Sequence, residues 1–363
     1  MSKFALGIEL DGDGAHPAAW RHANHPPTEL LTPQRIAAVA SKTEAAGFTF
    51  ATFREGTLHG SPNVTGRLDT TGVAAFAAAA TDRLGLVPAI NTIHAEPFHL
   101  ANQLASLDWA ARGRSGWLAE ALESPAIAAG YGSEPVHDRN AVQREAAEVV
   151  AAARRLWDTW EDGVFIADTA NNRFLDLDKF HYADFAGEFF SIKGPSITPR
   201  PPQGRPVVFG RPGQLAAELP DVVVVSAATV AGVATAAADQ RRRGVLRVVA
   251  DLEIVLDAGT FLADERLRAL DAASPWPAAP DVLRFVGDAG GLRVLLTELS
   301  GVVDGVRLLP GVLDIELEVL AAEVVPGLIS NGVFVPPAAG STLRESLSLP
   351  EAVNSFATSK EPA

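Results

Sequence analysis

Two short stretches of the sequence contain side chains whose types and spacing could support chemistry. In the first, Asn91 and Thr92 directly follow an apolar run, and His94 comes two positions later. An amide and a hydroxyl can hydrogen-bond a ligand, and an imidazole can transfer a proton near neutral pH. The same amide and hydroxyl could instead cap the next helix, and a lone histidine is more often structural. Ligand binding and helix capping therefore both remain open for this stretch.

The second stretch contains Gly210, Arg211 and Gly213. Glycines allow the backbone to approach a phosphate closely, and a guanidinium can bind a phosphate through two parallel hydrogen bonds. An arginine at a helix start opposes the helix dipole unless an anion is bound there. We therefore predict an anion site over 210–213, with a plain surface turn as the alternative.

The elements that must position these residues follow a repeating pattern of short apolar runs and longer helical stretches. Continuous apolar runs such as 222–225 and 246–256 are typical of parallel strands covered on both faces. Alternating strands and helices predict a parallel sheet, and about eight units favour a closed (β/α)8 TIM barrel. An open doubly wound sheet is the rival fold. The predicted strands span 4–10, 48–53, 84–90, 115–118, 206–209, 221–226, 246–256 and 305–309.

One segment interrupts this pattern. Residues 161–204 are rich in aromatic residues, Asp, Gly and Pro, which predicts an insertion between strands 4 and 5 at the barrel end. Residues 260–300 read as helical, with an interruption near 274–280. We expect a single barrel domain over 1–350, with a disordered tail over 351–363.

Composition limits the partners and the compartment. The 363 residues carry a net charge of −14, which disfavours nucleic acid and anionic membrane as partners. There is no cysteine, so disulfides and thiolate sites are excluded. The sequence shows neither a signal peptide nor an apolar run of about 18 residues, and we therefore expect a cytoplasmic protein. The histidines lack metal-ligand spacing, so no metal is expected.

The stretch DRLGLVPAINTIHAEPFHLANQLASLDWAARGRSGW (82–117) resembles the luciferase-like flavin-dependent monooxygenases. In the branch that acts on nitrilotriacetate and dibenzothiophene sulfone, strand 3 precedes E-P-[FY]-H-x-A, then L-D and G-R-x-G-W. Further segments match in the same order, among them LWDTWEDGVF (156–165) and VDGVRLLPGVL (303–313). The resemblance implies a TIM barrel that binds reduced FMN at its C-terminal face and uses O2 on a small-molecule substrate. It also implies a partner flavin reductase and a homodimer.

The resemblance assigns roles to particular residues. Members of this family have an acidic residue at the end of strand 2, which Glu55 matches, although a solvated pair with Arg54 is an equal alternative. Asn91 and Thr92 match the positions that contact flavin. His94 could protonate a leaving group. We therefore expect catalytic roles for Glu55 and His94, and cofactor contacts from Asn91, Thr92 and the 210–213 turn, which matches a longer phosphate loop in the family.

The strand-4 region departs from the family pattern. Leu118 stands where the family has Asn, and Glu120 adds a charge that we expect to face outward. His137 matches the histidine of a helix motif that contacts phosphate or substrate in the family. Tyr182 lies among the aromatic residues of the insertion. Leu118, His137 and Tyr182 are therefore candidates for a substrate pocket, although local packing of the insertion is an equally simple reading for Tyr182.

These departures leave two alternatives to an FMN-dependent enzyme. Hydrogen-bonding groups of the family pattern are missing at 118, 121, 122 and 141, which is compatible with a non-catalytic barrel that pairs with an active paralogue. The short 210–213 turn and its arginine also permit the deazaflavin F420 as the cofactor.

Overall fold

The computed structural model describes residues 4–10, 12–54, 67–215, 220–276 and 281–357. Its strands are β1 (Ala5–Glu9), β2 (Phe50–Phe53), β3 (Gly85–Asn91), β4 (Gly116–Glu120), β5 (Phe165–Asp168), β6 (Arg173–Leu175), β7 (Phe185–Ala186), β8 (Ser191–Ile192), β9 (Val207–Gly210), β10 (Val222–Val225), β11 (Arg247–Leu256), β12 (Leu283–Gly287) and β13 (Gly305–Pro310). Its α-helices are α1 (Pro33–Ala46), α2 (Thr70–Ala79), α3 (Pro97–Ala110), α4 (Pro125–Tyr131), α5 (Arg139–Asp158), α6 (Val230–Arg242), α7 (Ala263–Ala273), α8 (Ala289–Ser300), α9 (Leu313–Val319), α10 (Val325–Ser330) and α11 (Leu343–Ser346). A π-helical turn, Leu320–Val324, joins α9 to α10.

Eight of these strands form a closed parallel barrel in the order β1, β2, β3, β4, β9, β10, β11 and β13. Two pairings close the ring: β10 pairs with β11 through Val222 and Arg247, and β13 pairs with β1 through Gly305 and Ala5. The predicted (β/α)8 barrel is therefore confirmed, and the open sheet is excluded. All eight predicted strands are present, with ends that differ by a few residues.

The helical prediction over 260–300 is wrong in its middle. There the chain forms β12 between α7 and α8. β12 runs parallel to the outer part of β11, from Leu252 to Leu256, while β10 pairs with the inner part, from Arg247 to Ala250. Residues of β12 are only half-buried, so this strand lacks the continuous apolar run that identifies the buried strands.

The motifs that carry the family resemblance serve the architecture. Glu96 begins α3 by accepting hydrogen bonds from the backbone N–H groups of Phe98 and His99, at 3.1 and 2.6 Å. Asp108 of the L-D pair is fully buried and accepts from both N and Oγ of Ser115, at 3.1 and 2.8 Å. Arg114 donates to the carbonyl groups of residues 81 and 84 at 2.8 and 2.7 Å. These contacts fix α3 against β3 and β4.

Inward-facing side chains fill the lower part of the barrel. Phe50 and Phe209 lie 5.3 Å apart between ring centroids and are fully buried with Leu118 in one cluster. The glycine at position 7 is required here, because a Cβ on it would lie 2.2 Å from the Phe50 ring. Leu343 of α11 belongs to the same cluster and closes the N-terminal end of the barrel. The lower barrel is thus a packed core.

The insertion and the tail support each other on the outside of the barrel. The insertion leaves α5 at Asp158 and carries the β5–β6 and β7–β8 hairpins before it returns to β9. Asp158 accepts hydrogen bonds from Arg200 at 2.7 Å and from the backbone N–H of Ser355 at 2.9 Å. Asn354 is buried and donates to the Asp158 carbonyl at 2.9 Å. The expectation of a disordered tail is therefore wrong for 351–357, while 358–363 lie outside the described residues.

Candidate active site at the barrel mouth

The C-terminal mouth of the barrel contains a buried network of charged side chains. Side chains that face the barrel axis alternate along each strand, so Glu9, Asp251 and Arg307 point inward above the apolar layer. Arg307 donates to both carboxylate oxygens of Asp251, at 2.7 and 2.9 Å. It also contacts Glu9 and the Thr52 hydroxyl, each at 3.3 Å. Three strands are thereby tied to one guanidinium.

Arg211 connects this network to solvent. Its Nη1 lies 3.0 Å from Oδ2 of Asp251, and its side chain is 27% exposed, against 3% for Asp251. Burial alone would raise the pKa of Asp251, but the guanidinium groups of Arg307 and Arg211 outweigh burial and lower the pKa to about 2. Asp251 therefore stays ionised and holds Arg211 at the mouth.

Glu120 is the second acidic group at the mouth, and the expectation that it faces outward is wrong. Its neighbours Trp117 and Ala119 pack outward against the helices, whereas Leu118 lies in the barrel core, so the alternation turns Glu120 inward. Burial raises the pKa of Glu120, opposed by the positive charges of Arg211 and Arg307. Burial therefore favours the protonated form of Glu120 more than that of a carboxyl group in water.

Asn91 and Thr92 are engaged in internal contacts. The Asn91 amide brackets the backbone of Leu122: Nδ2 donates to the carbonyl at 2.9 Å, and Oδ1 accepts from the N–H at 2.9 Å. The Thr92 hydroxyl is buried and donates to the Glu120 carbonyl at 2.9 Å. Both side chains join the ends of β3 and β4. Neither side chain caps α3, whose N-cap is Glu96.

His94 belongs to a separate cluster on the loops after β3 and β4. Its Nε2 lies 2.7 Å from a carboxylate oxygen of Glu123, and its Nδ1 lies 3.3 Å from the Ser133 hydroxyl. The imidazole stacks on Tyr131 with the ring centroids 4.9 Å apart. The backbone of His94 has φ +67°, which an L-residue adopts only at a cost. The structure places this histidine with Glu123, apart from the Arg307 network.

The remaining predicted residues are scattered. Gly210 ends β9, and Gly213 has φ +74° beside open space, since a Cβ there would meet no atom within 4 Å. Leu118 is buried in the barrel core and cannot line a substrate pocket. His137 is exposed, and Tyr182 is 56% exposed with the Lys193 ammonium 4.9 Å from its ring centre. These last three do not meet at one pocket.

Two predictions extend beyond the described residues. Glu55, expected to be catalytic, lies outside them. The turn after β9 shows no helix through residue 215, and residues 216–219 are also outside the described part.

The residues at the mouth fit an anionic cofactor on one side. Arg211 reaches solvent next to the open space at Gly213, and Arg54 at the end of β2 is exposed. Two guanidinium groups can pair with phosphate or with the anionic ring of a reduced flavin. On the β3 side, the Asn91 amide and the Thr92 hydroxyl make hydrogen bonds to the backbone of the loop after β3 and β4 and carry no charge. The charged groups that could bind an anionic cofactor at the mouth are therefore arginine side chains.

The buried network was missed from the sequence although a pattern in the sequence indicates it. Asp251 and Glu253 interrupt the apolar run of β11 at alternate positions, and Arg307 does the same in β13. A charge within a doubly covered strand needs a partner charge. Three such interruptions therefore predict an ionic cluster inside the barrel.

Two features are absent from the described part of the chain. Within it, no helix has both the length and the apolar character needed to cross a bilayer. In the same ranges, no three or more histidine and carboxylate side chains gather as a metal site would require.

Comparison with known proteins places the chain in a family. The luciferase-like monooxygenase model matches residues 15–294. The chain is 26% identical to N-acetyl-S-(2-succino)cysteine monooxygenase of Bacillus subtilis (strain 168), with 98% of each covered. It is 25% identical to nitrilotriacetate monooxygenase component A of Aminobacter aminovorans, with 97% of this chain and 98% of that protein covered. The EDTA monooxygenase EmoA from Chelativorans sp. BNC1 shares the fold, with a TM-score of 0.82 at 21% identity over 96% of this chain and 99% of that one. The chain therefore belongs to the luciferase-like family of flavin-dependent monooxygenases.

Proposed function

We propose that this enzyme binds reduced FMN at the barrel mouth and uses it with O2 to oxygenate a small organic substrate. The observation that carries the proposal is the position of Arg211. Its guanidinium reaches solvent at the C-terminal face and is held there by a buried carboxylate. TIM-barrel enzymes place their active sites at this face. A fixed cation there favours the anionic groups of a reduced flavin.

Each residue at the mouth would have a separate role. Arg211 and Arg54 would pair with the phosphate or with the negatively charged ring, and the open backbone at Gly213 would allow close approach. Asp251 and Arg307 would keep Arg211 in place. Glu120, with its raised pKa, would hold a proton at the mouth. When bound, the reduced flavin supplies the electrons that activate O2.

Partners follow from the same proposal. The relative from Aminobacter aminovorans is named component A, which indicates a second component. We propose a flavin reductase as the source of reduced FMN for this chain, a homodimer as its assembly, and the cytoplasm as its location.

The test is an anaerobic titration of the protein with FMN in both redox states, followed by flavin fluorescence and absorbance. We expect saturable binding at micromolar protein, tighter for the reduced form. Arg211→Gln should weaken binding by about tenfold or more, the range for losing a charge-assisted hydrogen bond. Arg241→Gln is the matched control, because Arg241 pairs with Asp304 at the opposite end of the barrel, at 3.2 Å. Failure of both redox forms to bind would refute the proposal.

The same titration separates the alternatives. Displacement of FMN by F420 at equal concentration would favour the deazaflavin as the cofactor, which Arg211 and the short turn permit. The engaged side chains of Asn91 and Thr92 favour the second alternative, a barrel without its own catalysis. Copurification with a paralogue, together with absence of turnover by the isolated chain, would support that reading.

A further inference from the structure

A cavity of about 240 Å³ lies at the C-terminal end of the barrel, between the loop after β1 and helices α1 and α2. Its wall is mostly apolar and includes Leu10, Ile36, Phe53 and Val73. An engineered protein cavity of about 150 Å³ with a comparable apolar lining binds benzene. The space beside α1 and α2 is therefore large enough for the apolar body of a small organic molecule.

The polar side chains of this wall are engaged within the protein. The Asp13 carboxylate lies 2.8 Å from Nε2 of His25, and Arg35 is paired with Asp314 at 2.6 Å. The Thr70 hydroxyl donates to a β3 carbonyl group at 3.2 Å. Each of these groups would have to leave its present partner in order to bind a ligand.

The other polar groups of the wall are occupied or turned away. The His16 imidazole accepts from a backbone N–H at Nδ1, at 3.0 Å, and its Nε2 lies 3.2 Å from a carboxylate oxygen of Asp271. Arg54 and Arg67 also have interactions of their own. The indole nitrogen of Trp20 is buried within the wall, so its side chain offers no donor to the space. The cavity therefore presents apolar surface and polar groups that are already engaged.

This lining selects against ions and against water. An ion in the cavity would lose its hydration and gain no unengaged counter-charge, and burial of an unpaired ion is costly. The space corresponds to about eight waters at about 30 Å³ each, but a well-held buried water needs about two to four polar partners. Because an apolar group gains affinity when it displaces poorly ordered water, an uncharged apolar occupant is favoured.

Two exposed leucines mark the opening of the cavity. Leu31 and Leu68 line it and are 42% and 40% exposed. Because both side chains lie partly in solvent and partly against the cavity, the apolar lining continues to the protein surface. An apolar molecule can therefore reach the cavity from solvent.

The cavity adjoins the mouth at the end of β2. Phe53, the last residue of β2, lines the cavity, and the preceding residue, Thr52, contacts Arg307 at 3.3 Å. A molecule held in the cavity would therefore lie at the barrel end assigned to the flavin.

We infer that this cavity binds an uncharged apolar molecule of about the size of a substituted benzene, and that it excludes ions of the same size. The binding claim needs no flavin. The further assignment of this class of molecule as the substrate rests on the proposed function.

The test uses toluene, benzoate and benzylammonium, which share one aromatic ring but differ in charge. Binding to the flavin-free protein is measured by isothermal titration calorimetry at about 10 °C and about 30 °C, because burial of apolar surface changes the heat capacity and the heat of binding cannot vanish at both temperatures. Toluene should bind at least about tenfold more tightly than either ion. Equal or tighter binding of either ion, or no heat with millimolar toluene at both temperatures, would overturn the inference.

Two variants localise the site by filling the cavity from different helices. Val73→Phe on α2 and Ile36→Phe on α1 should each weaken toluene binding at least about tenfold, because the larger side chain occupies the space. Val294→Phe is the matched control, because Val294 is 70% exposed on α8, outside the cavity wall. Its toluene affinity should stay within about twofold of wild type.

A thermal unfolding curve verifies that each variant is folded, and either filling variant that folds decides the result. Toluene affinity that is unchanged in a folded filling variant would also overturn the inference. The outcome is independent of the flavin titration. Toluene can bind normally in a protein that fails to bind FMN, and the reverse result is equally readable.

Discussion

Replacing Asp251 by Asn tests whether the buried network stabilises the barrel. Asp251 is 2% exposed and is bound by two guanidinium groups. The fall of its pKa from 3.8 to about 2 corresponds to roughly 2.5 kcal/mol of stabilisation, at about 1.4 kcal/mol per pKa unit. Removing the charge also leaves the buried Arg307 in contact with one carboxylate, Glu9, and with the Thr52 hydroxyl, and breaking a buried pair costs about 3–5 kcal/mol. We therefore expect a loss of about 3 kcal/mol.

The assay is urea unfolding of wild type and Asp251→Asn between pH 8 and pH 3. Because the pKa of Asp251 is depressed in the folded state, its contribution is complete above the unfolded value of 3.8 and is lost as the pH falls toward 2. The stability difference should therefore be flat from pH 8 to about pH 5 and should shrink below about pH 4.

Asp239→Asn is the control for this measurement, since Asp239 is 50% exposed and pairs with Arg242 on the surface of α6. Its cost should stay below about 0.5 kcal/mol. A loss below about 1 kcal/mol in Asp251→Asn at pH 7 would refute the reasoning, as would a stability difference that persists unchanged at pH 3.

Two further changes probe neighbouring groups. Glu120→Gln should raise the melting temperature at pH 8. Burial raises the pKa of Glu120 in the folded protein, so the stability that the protonated side chain contributes is lost as the pH rises through that pKa. The gain in melting temperature should vanish near pH 4, and a variant that melts at a lower temperature than wild type at pH 8 would contradict the prediction. Thr92→Val should cost about 1 kcal/mol in chemical unfolding, since the buried hydroxyl donates to the Glu120 carbonyl at 2.9 Å. It should leave FMN affinity within about twofold, and a larger loss of affinity without a loss of stability would restore Thr92 as a cofactor contact.

The barrel itself was predictable because its determinants are local. The α1 helix begins at Pro33 with Thr32 as its cap and ends before Gly47, where φ is +98°. Threonine before a helix, proline at its first position and glycine after its last are signals that act within a few residues. Continuous apolar runs in the sequence indicate the buried strands. β12 was missed because only half of its surface is covered, which leaves no apolar run to detect.

The site was predictable only in part. Arg211 was identified from its residue type and its place after a strand, and it does lie at the mouth. Asn91 was identified on the same grounds, yet its amide is engaged by the backbone of Leu122. Asn91 is the last residue of β3 and Arg211 directly follows β9, so position along the chain does not distinguish a side chain that reaches solvent from one that joins two loops.

The sequence by itself determined the alternating strands and helices, the resemblance to the family, and the placement of polar groups at strand ends, because periodicity and end signals act over a few residues. The closure of the sheet into a barrel was decided by the pairing of β10 with β11. Only the tertiary structure decided which of those groups meet. Asp251 and Arg307 come together because β11 and β13 are adjacent in register, and Asn91 is engaged because the β4 end lies within hydrogen-bonding distance. A side chain's partner depends on which backbone lies within about 3 Å of it, and that distance is set by strand register and loop path.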